Sequence, residues 1–483
     1  MINPTKNKIV SGVIWSSIER FSSQMVQFII SILIARLLLP SDYGLIAMLG
    51  IFLAIAQTFV DSGFSNALIQ KKDKTEVDYS TVFFLNIVIS IGAYLILYFL
   101  APLIAFFYKT PELDLLTKVI SLNVVITAFG VVQRTRLTIL LNFKLQTIIS
   151  LFSTITSGII AIYMAYKDMG VWALVTQSII NSLLNNILLW WFSSWKPKFC
   201  FSKDSFKAMF GFGYKLLLSG LLHTLYTNLY TLVIGKKFSS VDAGLFNRAF
   251  SFSQLPSVNI TLTINRAIYP VLCNMQEDDE KLRISFLAYL RMSCFIIFPL
   301  MITICMLAKP LVIFLLTEKW EPMIPLLQLL CIAYMWYPIS IANNQVVNAK
   351  GRSDYFLKAE IIKKIFAFII LFVTMPFGLY WLSGGLIIYS IIDIYIISRY
   401  LRNIIRVNFW DQFREILPIL MLVASLAIVL YFSLSFFENI LVQLILCTFI
   451  GITYFIMVCL IFRIKEFHLI KDMIIRIVKN SSF

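Results

Sequence analysis

The residues able to do chemistry in this chain are few, and the most telling of them stand inside long apolar sequence. Arg20 follows Glu19 about eight residues into the first apolar stretch, roughly 12 Å along a helix axis. Asp61 lies near the end of the second stretch, and Arg291 and Asp393 fall within later ones. An ionised side chain at such depth needs water, a counter-charge or a charged ligand. The chemistry on offer is therefore binding of a charged cargo, transfer of an ion, or a structural charge pair. Arg20 with Glu19 or Asp61, and Arg291 with Asp393, are the pairs that would make the structural reading true. Glu19 and Asp61 are also the carboxylates able to carry a coupling proton or sodium ion.

Polar stripes run beside these charges. At about 100° per residue, Ser16, Arg20, Ser23, Gln24, Gln27 and Ser31 form one face of a helix. The second stretch offers Gly50, Ala54, Gln57, Asp61 and Ser65, and the seventh offers Ser219, His223, Tyr226, Thr227 and Tyr230. In the eighth, Asn247, Ser251, Gln254, Thr261 and Asn265 do the same, with Arg248 and Arg266 beside them. Lipid cannot solvate such faces, so each must meet protein or a watery cavity. Their recurrence in stretches 1, 2, 7 and 8 favours a cavity there. The clusters Asn181/Asn185/Asn186 and Asn343/Asn344/Gln345 read instead as helix-packing contacts.

Several chemistries have no foothold. There is no GxxxxGK[ST] phosphate loop, no HExxH and no GxSxG. His223 and His468 are the only histidines, and the seven cysteines form no CxxC pair. No enzyme, cofactor or metal site is expected.

The elements that must position these residues are membrane spans. Of the 483 residues, 59% are hydrophobic and 14% charged, and apolar runs of about 20 residues recur from end to end. About 14 candidate helices result, from roughly 12–38 to roughly 440–462. Pro310–Leu316 is too short to cross and is expected to dip into the outer surface. Pro256, Pro299 and Pro338 interrupt helices. The formal charge of +16 sits in short loops, which argues against a nucleic-acid partner.

Alternate loops differ sharply in basic content. Lys71, Lys72 and Lys74, then Arg134, Arg136 and Lys144, then Lys196, Lys198, Lys203 and Lys207 mark one side. Lys109, Lys167, Lys236 and Lys237 belong to the sparser side. The positive-inside rule then puts both termini in the cytoplasm. Lys6 and Lys8 precede an interrupted apolar stretch with no small-residue cleavage site, which reads as a retained first span. The end of the chain, Arg463–Phe483, alternates basic and apolar residues and could lie along the inner surface. No loop exceeds about 20 residues, which leaves no room for an extramembrane catalytic domain.

A repeat organises the spans. Ile34–Met48, IARLLLPSDYGLIAM, matches Ile234–Arg248, IGKKFSSVDAGLFNR, at Asp42/Asp242, Gly44/Gly244 and Leu45/Leu245. Both copies occupy an outer turn between apolar segments, with six spans separating them. The halves should thus be related by an axis along the membrane normal. The expected organisation is a six-helix bundle over residues 1–200, a second over 201–405, and two extra spans with a cytoplasmic tail over 406–483. The fold class is an all-α polytopic membrane protein. Asp42, Gly44, Asp242 and Gly244 read as turn and helix-start residues.

Two segments carry a family likeness. Asp61–Lys74, DSGFSNALIQKKDK, followed by TVFFLN, resembles the end of the second helix in bacterial polysaccharide flippases of the Wzx and teichuronic-acid-exporter type. Gly244–Pro270, GLFNRAFSFSQLPSVNITLTINRAIYP, is similar to the eighth-helix signature of that group. These belong to the multidrug/oligosaccharidyl-lipid/polysaccharide (MOP) superfamily. The resemblance implies a MATE-like pair of pseudo-symmetric six-helix bundles, a cavity lined by helices 1, 2, 7 and 8, and two further C-terminal helices. It implies that an undecaprenyl-pyrophosphate-linked glycan is flipped from the inner to the outer leaflet of the bacterial plasma membrane. By the same resemblance Arg20, Arg248 and Arg266 would hold the pyrophosphate, with Gln24, Gln27, Gln57, His223, Thr227, Asn247 and Asn265 lining the cavity.

The expected partners are that lipid-linked glycan and the bilayer, together with a polysaccharide polymerase and glycosyltransferases; each chain, carrying both halves, is expected to be a monomer. Two rivals stay open: a cation-coupled multidrug exporter of the same superfamily, and a non-catalytic scaffold of a polysaccharide assembly complex.

Overall fold

The structure, a computed structural model, describes residues 22–61, 64–71 and 73–472. Among these residues every regular element is helical. The first are α1 (Ser22–Leu37), α2 (Pro40–Asp61) and α3 (Phe64–Gln70). Next come α4 (Glu76–Tyr108), α5 (Glu112–Ile120), α6 (Leu122–Ala128), α7 (Val131–Ile139), α8 (Phe143–Tyr166) and α9 (Val171–Phe192). Two 35-residue helices follow, α10 (Lys203–Lys237) and α11 (Ser240–Asn274). Then come α12 (Asp279–Met306), α13 (Ala308–Leu316), α14 (Ile324–Met335), α15 (Tyr337–Ala349), α16 (Ser353–Thr374), α17 (Leu379–Ile405) and α18 (Phe409–Ser435). The last long helix is α19 (Ile440–Ile461), which contains a π-helical turn at Gln443–Cys447.

Local sequence explains where helices begin. Thr75 and Asp78 form a reciprocal capping box at the start of α4, and Asn408 and Asp411 do the same for α18. Ser202 caps α10 and Asp278 caps α12 through side-chain acceptors. Pro338 stands at the start of α15, where the chain breaks away from α14. Pro256 and Pro299 lie inside α11 and α12.

Among the described residues, eleven helical stretches are long and apolar enough to cross a bilayer. The chain is thus a multi-pass membrane protein. Three of the expected 14 spans fall outside that set. The described part of α1 is short, and α11 is polar along its length. α16 carries Lys358, Glu360, Lys363 and Lys364 in its first half. α13 has nine residues, about 13 Å, too short to span.

The chain forms two compact units, Met1–Asn247 and Arg248–Phe483. In the first, α2 packs along α10, and α8 pairs with α9. A cluster of Phe64, Leu68, Tyr79, Val82, Phe83 and Trp195 closes one end. The segment between α9 and α10 is strapped across that end. Trp195 donates from Nε1 to Glu76 at 2.6 Å, and the backbone amides of Lys198 and Ser202 donate to Ser80 (3.1 Å) and Thr81 (3.2 Å). Arg136 lies over the Tyr79 and Trp195 rings.

In the second unit α12 packs on α14, α15 and α18, and α17 packs on α14, α15 and α16. Two charge networks stand here, and they correct the expected Arg291–Asp393 pair. Arg291 instead donates to Glu415 of α18 at 3.2 Å and to Glu466 beyond α19. Asp393 instead pairs with Lys363 at 3.0 Å and accepts from Ser340, while Glu360 lies 3.3 Å from the same ammonium. Periodicity placed both charges on interior faces, but each face met a different neighbour. Residues 465–472, in the segment expected to lie along the membrane surface, are helical and tied down through Glu466.

Candidate functional site

The first unit contains a polar cleft of about 440 Å³. Its walls come from α2, α3, α6, α7, α8 and α9. Gln57 and Asp61 of α2 and Ser65 of α3 contribute polar groups, as do Asn181, Asn185 and Asn186 of α9. Thr127 of α6, Arg134, Thr135 and Thr138 of α7, Ser150 of α8 and Ser182 of α9 complete the polar lining. The lining extends from Gln57 of α2 to Ile69 of α3 and includes the basic residue Arg134.

Hydrogen bonds hold the wall in place. Gln57 donates to Asp61 at 3.2 Å and accepts from Thr127 at 3.2 Å, so its carboxamide is oriented at both ends. Asn186 donates to the Ile126 carbonyl at 2.5 Å. It can enter there because residue 130 is glycine: a Cβ at Gly130 would sit 1.9 Å from Asn186 Oδ1. The Asn181 Oδ1 atom is buried and finds no hydrogen-bond partner among the described residues. Leaving such an acceptor dry costs about 1–3 kcal/mol, which favours water or a donor ligand beside it.

Of the residues expected from the sequence, the structure brings Gln57 and Asp61 together here. Glu19 and Arg20 lie outside the described residues. Gln24 is partly buried and Gln27 is exposed on α1. His223 and Thr227 are exposed on α10, where the Thr227 hydroxyl donates to the His223 carbonyl at 3.0 Å. Asn247 and Asn265 are partly buried, and the Asn265 Oδ1 atom has no partner among the described residues. Arg248 is 8% exposed, whereas Arg266 is exposed. Both stand on α11, 18 residues apart, or about 27 Å along the axis. They cannot grip one diphosphate together.

Asn181, Asn185, Asn186 and Arg134 form part of the site although the asparagines read as packing residues and the arginine as a loop charge. The signal was present in the i, i+4, i+5 spacing of the three asparagines. What was missing was the distance to α2.

Comparison with known proteins adds identity to this geometry. The family described as "Polysaccharide biosynthesis protein" matches residues 33–325. The chain is 26% identical to the teichuronic acid biosynthesis protein TuaB of Bacillus subtilis over 434 residues, 88% of each chain. It is also 26% identical to the lipopolysaccharide biosynthesis protein WzxC of Escherichia coli over 438 residues, 88% of this chain and 89% of that one. Among solved structures, the lipid II flippase MurJ in an inward closed conformation superposes with a TM-score of 0.73 at 15% identity, covering 93% of this chain and 99% of that chain. An inward-facing MATE multidrug resistance transporter of the MOP superfamily superposes with a TM-score of 0.58 at 14% identity, covering 80% and 99%. These likenesses carry the fold, and the match over residues 33–325 carries the family: the chain belongs to the polysaccharide biosynthesis protein family, built on the fold of MOP-superfamily transporters.

Proposed function

We propose that the chain is a flippase that moves an undecaprenyl-pyrophosphate-linked oligosaccharide from the inner to the outer leaflet of a bacterial plasma membrane by alternating access. The observation that carries this reading is a polar cleft of about 440 Å³ among helices long and apolar enough to cross a bilayer. It is supported by relatives named for teichuronic acid and lipopolysaccharide biosynthesis that align over 88% of this chain. The fold shared with a lipid II flippase agrees with it.

The cargo presents two chemistries. Its diphosphate carries about two negative charges, which are too costly to bury without basic partners. Arg20, Arg248 and Arg266 are the candidates, with Arg248 and Arg266 acting at different depths rather than as one clamp. Arginine suits this task through paired hydrogen bonds. An interior-negative potential favours outward movement by about 2.3 kcal/mol per charge per 100 mV. A proton or sodium ion moving inward through Asp61 or Glu19 would return the empty protein. On this reading both termini are cytoplasmic, α1, α11 and α16 are the spans that complete 14, and the chain works as a monomer.

Reconstitution in vesicles with a labelled lipid-linked oligosaccharide tests the proposal. Protein-dependent exposure of the label to an external glycosidase is the expected result. No change in sidedness across several glycans would overturn it. A multidrug exporter would instead move a fluorescent lipophilic cation down an imposed gradient in the same vesicles.

A further inference from the structure

We propose that the cleft between α2 and α9 is a subsite for a neutral, hydroxyl-rich sugar ring. The inference rests on the flippase reading and goes beyond it, because it assigns recognition of the glycan to the first unit alone.

Charge balance is the first argument. Asp61 and Arg134 are the charged residues of the lining, one of each sign. A bare diphosphate would need a basic excess, and a metal or drug cation would need an acidic one. A cleft near neutrality suits a neutral ligand.

The donor and acceptor inventory is the second. Gln57, Asn181, Asn185 and Asn186 each present a carbonyl and an amide, and Thr127 and Thr138 present hydroxyls. A sugar hydroxyl also donates and accepts at once. Carboxamides can therefore meet each ring hydroxyl in either sense. The Asn181 Oδ1 acceptor, which has no partner among the described residues, is one such role for a ligand hydroxyl. Asp61, already oriented by Gln57, is exposed and can accept from neighbouring hydroxyls.

Shape is the third argument. Polar residues that only glue helices together close on one another and leave no void. Here they stand back around about 440 Å³, inside the range of about 300–1,000 Å³ typical of small-molecule sites. None of the described lining residues is aromatic, which removes the ring faces that planar cations use.

The test is saturation-transfer NMR on the full chain in nanodiscs. The probes are methyl glucoside, methyl N-acetylglucosaminide, methyl glucuronide and tetraethylammonium, with undecaprenyl pyrophosphate as a separate ligand. We expect transfer to one or both neutral glycosides, lost in Asn181→Leu and in Asn185→Leu. Undecaprenyl pyrophosphate should bind wild type and both variants alike, which shows that the variants are folded. Should a variant fail that check, the smaller changes Asn181→Ala and Thr138→Val replace it.

Neutral glycosides that bind wild type and variants equally would overturn the inference. So would transfer confined to the glucuronide or to tetraethylammonium. Binding of undecaprenyl pyrophosphate without any glycoside would overturn it while leaving the flippase reading intact. Glycoside binding without glycan translocation in vesicles would sink the flippase reading and keep the sugar site.

Discussion

Gly44 and Gly244, equivalent positions of the sequence repeat, hold their two hairpins at backbone contact. A Cβ on Gly44 would lie 1.7 Å from the Ser240 carbonyl oxygen. One on Gly244 would lie 1.9 Å from the Pro40 carbonyl oxygen and 3.0 Å from the Gly44 nitrogen. Each glycine thus admits the start of the other's helix. The neighbouring aspartates do a different job: Asp42 accepts from the Leu39 amide at 3.0 Å, and Asp242 accepts from Ser239 at 2.7 Å. The motif combines a helix start with a close-approach position, as small residues do at helix contacts in membranes.

Substitution of either glycine by alanine should therefore separate α2 from the start of α11. Overpacking of this kind costs about 1–3 kcal/mol, and a lower thermal midpoint of the detergent-solubilised protein would report it. Gly92 provides the control, since a Cβ there meets nothing within 4 Å. Gly92→Ala should leave the midpoint unchanged or raise it, because alanine is the better helix former.

Lys363 is 1% exposed and is held by Asp393 and Glu360. Removal of one partner leaves a buried charge alone, at a cost of about 3–5 kcal/mol. Lys363→Met should lower the thermal midpoint strongly, and Lys363→Met with Asp393→Leu should recover much of the loss. A double variant no better than the single one would show that the pair is not coupled.

Arg291 reaches Glu466, 175 positions away, as well as Glu415. Arg291→Met should release the helical segment 465–472. Trypsin cleavage at Lys465 and Lys471 would then accelerate, on the order of tenfold for a coupling near 1.4 kcal/mol. Equal cleavage rates would mean that apolar packing alone holds the segment.

The strap between α9 and α10 depends on Trp195, which is 4% exposed and bonded to Glu76. Trp195→Ala should cost about 3–5 kcal/mol. Hydrogen exchange at the Lys198 and Ser202 amides should rise more than at α8.

Span count is open to direct labelling. In a cysteine-free background, Glu277→Cys and Ser353→Cys should be reached only from the inner side. Glu318→Cys and Phe377→Cys should be reached only from outside. If α11 does not cross, all sites beyond it invert; if α16 does not, Phe377→Cys labels from within.

Much of this protein was determined by its sequence alone. Apolar length dictated membrane spans, because lipid leaves the backbone no partners but its own. The four-residue spacing of Gln57, Asp61 and Ser65 defined a polar stripe along one apolar stretch. The repeat around Asp42 and Asp242 located two equivalent hairpins, and its aspartates are helix-start residues as read.

Tertiary structure decided what each face meets. Periodicity reports a direction from one helix axis and carries no information on the helix opposite. Only packing set the three asparagines of α9 across a cleft from Gln57, where they read in sequence as glue. Only packing exchanged the partners of Arg291 and Asp393. It also gave Gly44 and Gly244 their purpose, since the atoms that forbid a side chain at each belong to the other copy of the repeat.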